Sequence, residues 1–177
     1  RRFVKDWNQV AFDDRAWPPA VEIPAPKVEQ SWQAMPGSRL RAPITPNKIY
    51  AHNGKWVVDF GTTLTGWMRL RMSALRPGQQ VTIEYADLDN PRLEHMPNGD
   101  GFQTFNQKDI YIADDEGRGV FCSKFNQHAF RYAVIAGLSR EPALSDAEAM
   151  IVETDLEAVG EFACSNELFN RIHQVTV

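Results

Sequence analysis

The sequence predicts a mainly β protein, an antiparallel two-layer β-sandwich with an extended arm before it and a short helix after it. Three observations lead there. From about Ser31 to Thr154 the apolar residues recur at every second position in short runs, the period of strands with one wet face. Turn-forming strings such as Arg76-Pro77-Gly78 and Asn98-Gly99-Asp100-Gly101 separate the runs. No helical period intervenes, which is the pattern of stacked sheets rather than of strands alternating with helices.

Residues 1–27 read as a connector. Phe12-Asp13-Asp14-Arg15-Ala16-Trp17 precedes Pro18, Pro19, Pro24 and Pro26. Proline lacks the N–H that a ladder needs, so the segment is extended, and Asp13 with Asp14 suits a tight turn. Residues 28–158 carry the sandwich. Trp56, Val58 and Phe60 share one strand face, and Met68, Leu70 and Met72 share another, opposite Arg69 and Arg71. Val81, Ile83 and Tyr85 alternate with Thr82 and Glu84, while Ile110 and Ile112 fall together. Phe130, Tyr132 and Val134 also fall together, which puts both rings inward and Arg131 on the opposite face. Gly61 and Gly66 bracket Thr62 to Thr65, a place for a bend or bulge.

Residues 159–177 change period. Ser165 reads as an N-cap and Glu167 falls in the first turn. Leu168, Ile172 and Val175 follow at i, i+4 and i+7, a helical stripe. So short a helix is marginal without a partner for that stripe, and the segment reads as the start of a further domain.

Composition narrows the function. The 177 residues are 43% hydrophobic and 24% charged with a formal net charge of −4. That balance suits a globular chain and argues against a nucleic-acid partner, whose phosphates need clustered Lys and Arg. No apolar run nears the roughly 20 residues that span a bilayer, so no membrane partner is expected. The opening Arg1-Arg2 has no leader pattern, and the chain reads as an internal piece. Cys122 and Cys164 match no zinc spacing, though one bridge between them stays open. Asp87 to Asn90 and Asn98 to Asp100 offer oxygen ligands without the spacing of a known calcium loop. Neither a metal nor a cofactor is expected. Asp87 with Asp89, and Asp114-Asp115-Glu116, read as solvated turn carboxylates.

Three strings carry more. Asp59-Phe60-Gly61, then Gly66-Trp67 and Arg69-Leu70-Arg71, resembles the "DFG…GW-x-R-L" signature of bacterial α-L-rhamnosidases. Asp109-Ile110-Tyr111, then His128 and Phe130-Arg131-Tyr132, is similar to that family's "D-x-Y…H-G-F-R-Y" stretch, with Ala129 in place of the usual Gly. Gly160-x-Phe162, Cys164-Ser165-Asn166, Leu168 and Asn170 resemble its entry into the catalytic helices. Thr62-Thr63 replaces the Gln-Asn that often follows the family's Asp-Phe-Gly. The order and spacing match across essentially the whole chain.

The resemblance implies a concanavalin-like or jelly-roll sandwich from a bacterial glycoside hydrolase, set against an α/α barrel that removes terminal α-L-rhamnose with inversion. It assigns no catalytic residue to this chain, and a periplasmic or secreted setting is favoured over a cytoplasmic one. His128, just before its strand, reads as a hydrogen-bonded structural residue. The expected function is therefore that of a non-catalytic module bracing the catalytic barrel, with rhamnosides as partners through the parent enzyme. The alternative is a carbohydrate-binding module using Trp32, Trp56 or Trp67, because a flat ring covers the apolar face of a pyranose. A third reading, a self-contained hydrolase, needs two carboxylates converging on one pocket.

Overall fold

A computed structural model describes residues 4–88 and 107–176. The turn expected at Asn98–Gly101 and most of the two oxygen-rich strings, Asp89 included, lie outside the described residues. Among the described residues eight strands appear in order: β1 (Ser38–Leu40), β2 (Lys48–His52), β3 (Lys55–Met72), β4 (Gln80–Ala86), β5 (Lys108–Ile112), β6 (Gly119–Cys122), β7 (His128–Ala136) and β8 (Ala147–Thr154). A single turn of 3-10 helix, Leu144–Asp146, precedes β8, and one helix, α1 (Glu167–Thr176), follows it. Every strand pairing is antiparallel.

One strand organises the rest. β3 is 18 residues long and pairs with four others. Its first half lies between β2 and β7, and β4 and β5 continue that layer. Its second half lies between β8 and β6, with β1 beyond β8. The sheet therefore curls into two layers through one shared strand. On either side of the exposed Thr62, even-numbered residues of β3 point inward: Val58, Phe60, Leu64, Met68, Leu70 and Met72 are all buried in the main core. Val81, Ile83, Tyr85, Phe130 and Ile135 close that core from β4 and β7, and Ala147 and Ala149 from β8.

The bend falls where the glycines are. The register against β7 slips between Asp59 and Leu64. Gly61 takes a φ of +79°, a left-handed conformation that costs a residue with a Cβ. At Gly66 the constraint is space, since this residue pairs with His128 on one side and Ile151 on the other. A Cβ there would sit 1.9 Å from the Met150 carbonyl oxygen, which is backbone and cannot swing aside.

β7 corrects one expectation. Phe130 lies in the main core, 5.7 Å from the Phe60 ring and 4.8 Å from that of Tyr85. Tyr132 instead belongs to a second, smaller cluster with Val57, Ala86 and Val134, on the outer side of the same layer. The inward set of β7 passes from Phe130 to Ala133 and Ile135, so one extra residue is inserted between them. Arg131 and Tyr132 share the outer face as a result, with the guanidinium carbon 4.9 Å from the Tyr132 ring centroid. This is the phase reversal that a bulge imposes. β5 gives a second correction: Ile110 and Ile112 do share a face, but it is the exposed one. Their neighbours Asp109 and Tyr111 stand opposite Ile83 and Val81 and turn inward.

The two flanks behave otherwise. Residues 4–37 contain turns but no regular element and bury no residue; Phe12 and Trp17 lean together at 5.2 Å. At the far end the N-cap is Asn166 rather than Ser165. The Asn166 side chain accepts the Leu168 N–H at 3.0 Å, and both residue types serve equally well as caps. The Cys164 N–H donates to Asn170 Oδ1, and Asn170 Nδ2 donates back to the Cys164 carbonyl, both at 2.9 Å. That side chain imitates a ladder partner and ties the incoming strand-like segment to α1. Both cysteines are free.

Gly66→Ala is expected to cost about 3 kcal/mol, the upper range for forcing atoms into a filled space. Gly160→Ala, where a Cβ meets nothing within 4 Å, should stay within about 0.5 kcal/mol. Phe130→Ala should cost about 3–5 kcal/mol as a deleted buried ring. Denaturant midpoints of the three variants check all of these values.

Candidate functional site

Two buried carboxylates anchor polar pairs between strands, Asp59 of β3 with Arg131 of β7 and Asp109 of β5 with Tyr85 of β4. Asp59, only 3% exposed, stands where β3 approaches its bend. Its carboxylate accepts Arg131 Nε at 2.8 Å and Nη2 at 3.1 Å, a bidentate grip, and also the Gly61 N–H at 2.8 Å. Lys48 Nζ is 3.9 Å away. The Arg131 bonds hold this carboxyl below the usual carboxylate range, with the Gly61 N–H and the nearby cations helping and burial opposing. A buried carboxylate stays ionised at neutral pH only when its charge is met in this way.

The second pair is deeper. The Tyr85 hydroxyl donates to Asp109 Oδ2 at 2.9 Å, and Asn126 Nδ2 donates to Oδ1 at 3.2 Å. His128 is buried and stacks on the Tyr85 ring at 4.1 Å. Its Nε2 stands 3.3 Å from Asp109 Oδ2 but without the alignment of a hydrogen bond. Burial first, and then the Asp109 charge, pushes the Tyr85 phenol well above its ordinary value, so it remains a donor. An Asp, a His and a Tyr in contact resemble proton-transfer machinery, yet all three are packed within the core.

The open site lies elsewhere. A depression of about 650 Å³ is lined by Asn47, Lys48 and Ile49 on one wall and by residues 140–144 with Asp146 on the other. Both walls are fixed from behind. The Asn47 N–H donates to the Asp59 carbonyl at 2.8 Å, and the Asn47 amide lies where a Cβ on residue 61 would be, 2.1 Å from Nδ2. Across the gap, Asp146 and Ala143 exchange bonds of 2.9 Å, N–H to carboxylate one way and N–H to carbonyl the other. Arg140 Nη2 donates to Ser73 Oγ at 3.1 Å, and Arg71 Nη1 to the Ser145 carbonyl at 2.8 Å. Sequence reading missed these lining residues. They fall in connections or at the start of the short strand β2, where the periodic signal is weak or absent.

The three tryptophans do not form one platform. Trp32 is 97% exposed on the arm. Trp56 is half-buried against the main core, and Trp67 lies on the opposite face of β3, 7% exposed, with Nε1 donating to Cys122 Sγ at 3.0 Å. Among the described residues, no group of three or more His, Cys, Asp and Glu side chains is arranged to hold a metal.

Comparison with known proteins places these features. Residues 49–153 match the family model described as the bacterial alpha-L-rhamnosidase concanavalin-like domain. An alpha-L-rhamnosidase of Formosa agariphila is 34% identical over 176 residues, which is 97% of this chain and 18% of that protein. The alpha-L-rhamnosidase structure from Dictyoglumus thermophilum superposes with a TM-score of 0.81 at 32% identity, covering 96% of this chain and 19% of that one. One from Aspergillus terreus gives 0.75 at 28% identity, over 96% and 20%. The chain thus spans under a fifth of the length of the curated relatives it matches.

Removing Arg131 should leave the buried Asp59 charge with only the Gly61 N–H and the more distant Lys48. Arg131→Ala is expected to cost roughly 3 kcal/mol at pH 7, the lower end for breaking a buried pair. Because the folded Asp59 pKa is depressed, its stabilisation is complete above the unfolded value of about 3.9 and fades as pH falls through the folded one. The gap between wild type and variant should therefore narrow below that point. Unfolding curves from pH 7 to pH 2 read it directly, and a gap constant with pH would show that Asp59 draws no stability from Arg131.

Proposed function

The chain belongs to the bacterial α-L-rhamnosidase family through its concanavalin-like domain, and from that premise we propose that it is a non-catalytic β-sandwich module bracing the catalytic part of an enzyme that removes terminal α-L-rhamnose. The observation that carries this reading is the use made of its carboxylates. Inversion needs a general acid and a general base about 6.5–9.5 Å apart with water between them. Asp59 and Asp109 are buried in structural pairs, and Asp146 in the open depression holds the Ala143 N–H. Among the described residues that line the depression, Glu141 has no second carboxylate free to work with it.

The flanks support the bracing role. Residues 28–158 form the sandwich unit in this reading. Residues 1–27 are the end of a preceding accessory domain with its linker, and 159–177 begin an α/α barrel. Leu168, Phe169, Ile172 and Val175 are all exposed on α1, an apolar surface of the kind that marks a contact site. A second reading, a rhamnose-recognising module, is favoured by the exposed ring of Trp32 alone.

The purified chain is expected to release no rhamnose from an aryl α-L-rhamnoside. Turnover that survives repurification and vanishes in Glu141→Gln would overturn the non-catalytic reading. Hydrogen exchange tests the boundaries: amides after Ser165 should exchange far faster than those of Met68 to Met72, since they have no covering partner. A helix as protected as the core strands in a monomer would move the boundary.

A further inference from the structure

We propose that the depression between Asn47–Ile49 and Arg140–Asp146 is a secondary subsite for a neutral pyranose of the glycan on which the parent enzyme acts. This rests on the rhamnosidase reading above and adds to it a place where this module touches carbohydrate. Its size, about 650 Å³, falls within the range of about 300–1,000 Å³ that small-molecule sites occupy.

Charge selects the ligand class. Lys48 lies on one wall and Arg140, Glu141 and Asp146 on the other, so two cations and two carboxylates surround the opening. Such a site draws neither an anion nor a cation strongly, but offers donors and acceptors together, which a ring of hydroxyl groups can use at once. Ile49 and Pro142 supply an apolar floor, with Leu144 half-exposed at the rim, for the C–H face of the sugar. Among the described residues, the Asn47 amide and the Glu141 carboxylate have no hydrogen-bond or ion-pair partner. They are available to a ligand without first breaking a protein contact, and a lost contact would count against affinity.

The wall is also built in advance. The Asp59 backbone carbonyl holds the Asn47 N–H, and the missing side chain of Gly61 leaves the space that the Asn47 amide fills. The Asp-Phe-Gly string thus sets one side of the depression, while the Ala143–Asp146 reciprocal bonds and the Arg140–Ser73 bond set the other. Little ordering remains to be done on binding. With no aromatic ring in the lining, affinity should be weak.

Ligand-observed NMR and calorimetry on the whole chain test this, with L-rhamnose, methyl α-L-rhamnoside and a neutral rhamnose-containing disaccharide as probes. The expected result is saturable binding in the millimolar range, weakened about tenfold by Glu141→Gln and by Asn47→Ala, as when one hydrogen-bonding partner is lost. Both side chains are exposed, so neither variant should disturb folding, and an unchanged unfolding midpoint confirms that. Three results would overturn the subsite. They are no saturable binding of any probe into the tens of millimolar, binding untouched by both variants, and binding abolished by Trp32→Ala instead. None of these bears on whether the chain braces a catalytic domain, which the rhamnoside assay and the exchange experiment read separately.

Discussion

A sheet that shares one strand between two layers must bend that strand, and everything else in this structure follows from how β3 does so. A straight 18-residue strand would hold its partners in a single plane. Gly61 and Gly66 let the backbone turn, one by conformation and one by absence of bulk. The inward set keeps its parity through the bend, so Phe60 and Leu64 reach the same core. Loss of ladder bonds at the bend exposes polar backbone, and Asp59 answers that by accepting the Gly61 N–H while gripping Arg131. One carboxylate thereby joins β3 to β7 where their register slips. The charge splints the joint where the two strands lose register.

Much of this was legible in the sequence, for a physical reason. Wherever a strand runs straight, side chains alternate, and the faces read for β3 and β4 are those observed. The glycine pair around the bend was legible too. What failed was phase. Phe130 and Tyr132 are two residues apart and separate because a bulge is set by the partner strand, more than sixty residues earlier in the chain. Ile110 and Ile112 point outward because Asp109, a residue that local pattern sends to solvent, has Tyr85 and Asn126 waiting for it inside. In both cases a long-range pairing outweighs local hydrophobicity, and no window of neighbouring residues contains that information.

The site was legible only in part. The signature residues Asp59, Arg131, Asp109 and His128 were singled out, and the structure shows what they do: they meet in pairs across strands. Their placement explains how a recognisable string of residues need not touch substrate. The walls of the depression were not legible, because Lys48, Arg140 and Glu141 sit in or beside connections where spacing says nothing about proximity. Only the fold brings residue 47 against residue 141.

The layout of β3 also bears on how the chain comes to be folded. Its partners β7 and β8 begin at His128 and Ala147, whereas β3 ends at Met72. As the chain is synthesised from its N-terminus, the central strand is made early and must wait for most of the domain before either long ladder can close. Only β2, joined through the tight turn at Asn53-Gly54, is at hand from the start. Contacts this distant in sequence make folding slow, because loop closure must precede any gain from pairing. Meanwhile the alternating apolar run from Trp56 to Met72 is an unpaired edge, open to other nascent chains. The polar threonines at 62, 63 and 65, together with the arginines at 69 and 71, interrupt that run with groups that resist sheet-to-sheet stacking. Exposed or ion-paired in the finished sandwich, these residues are of the kind that keeps an unpaired strand from aggregating.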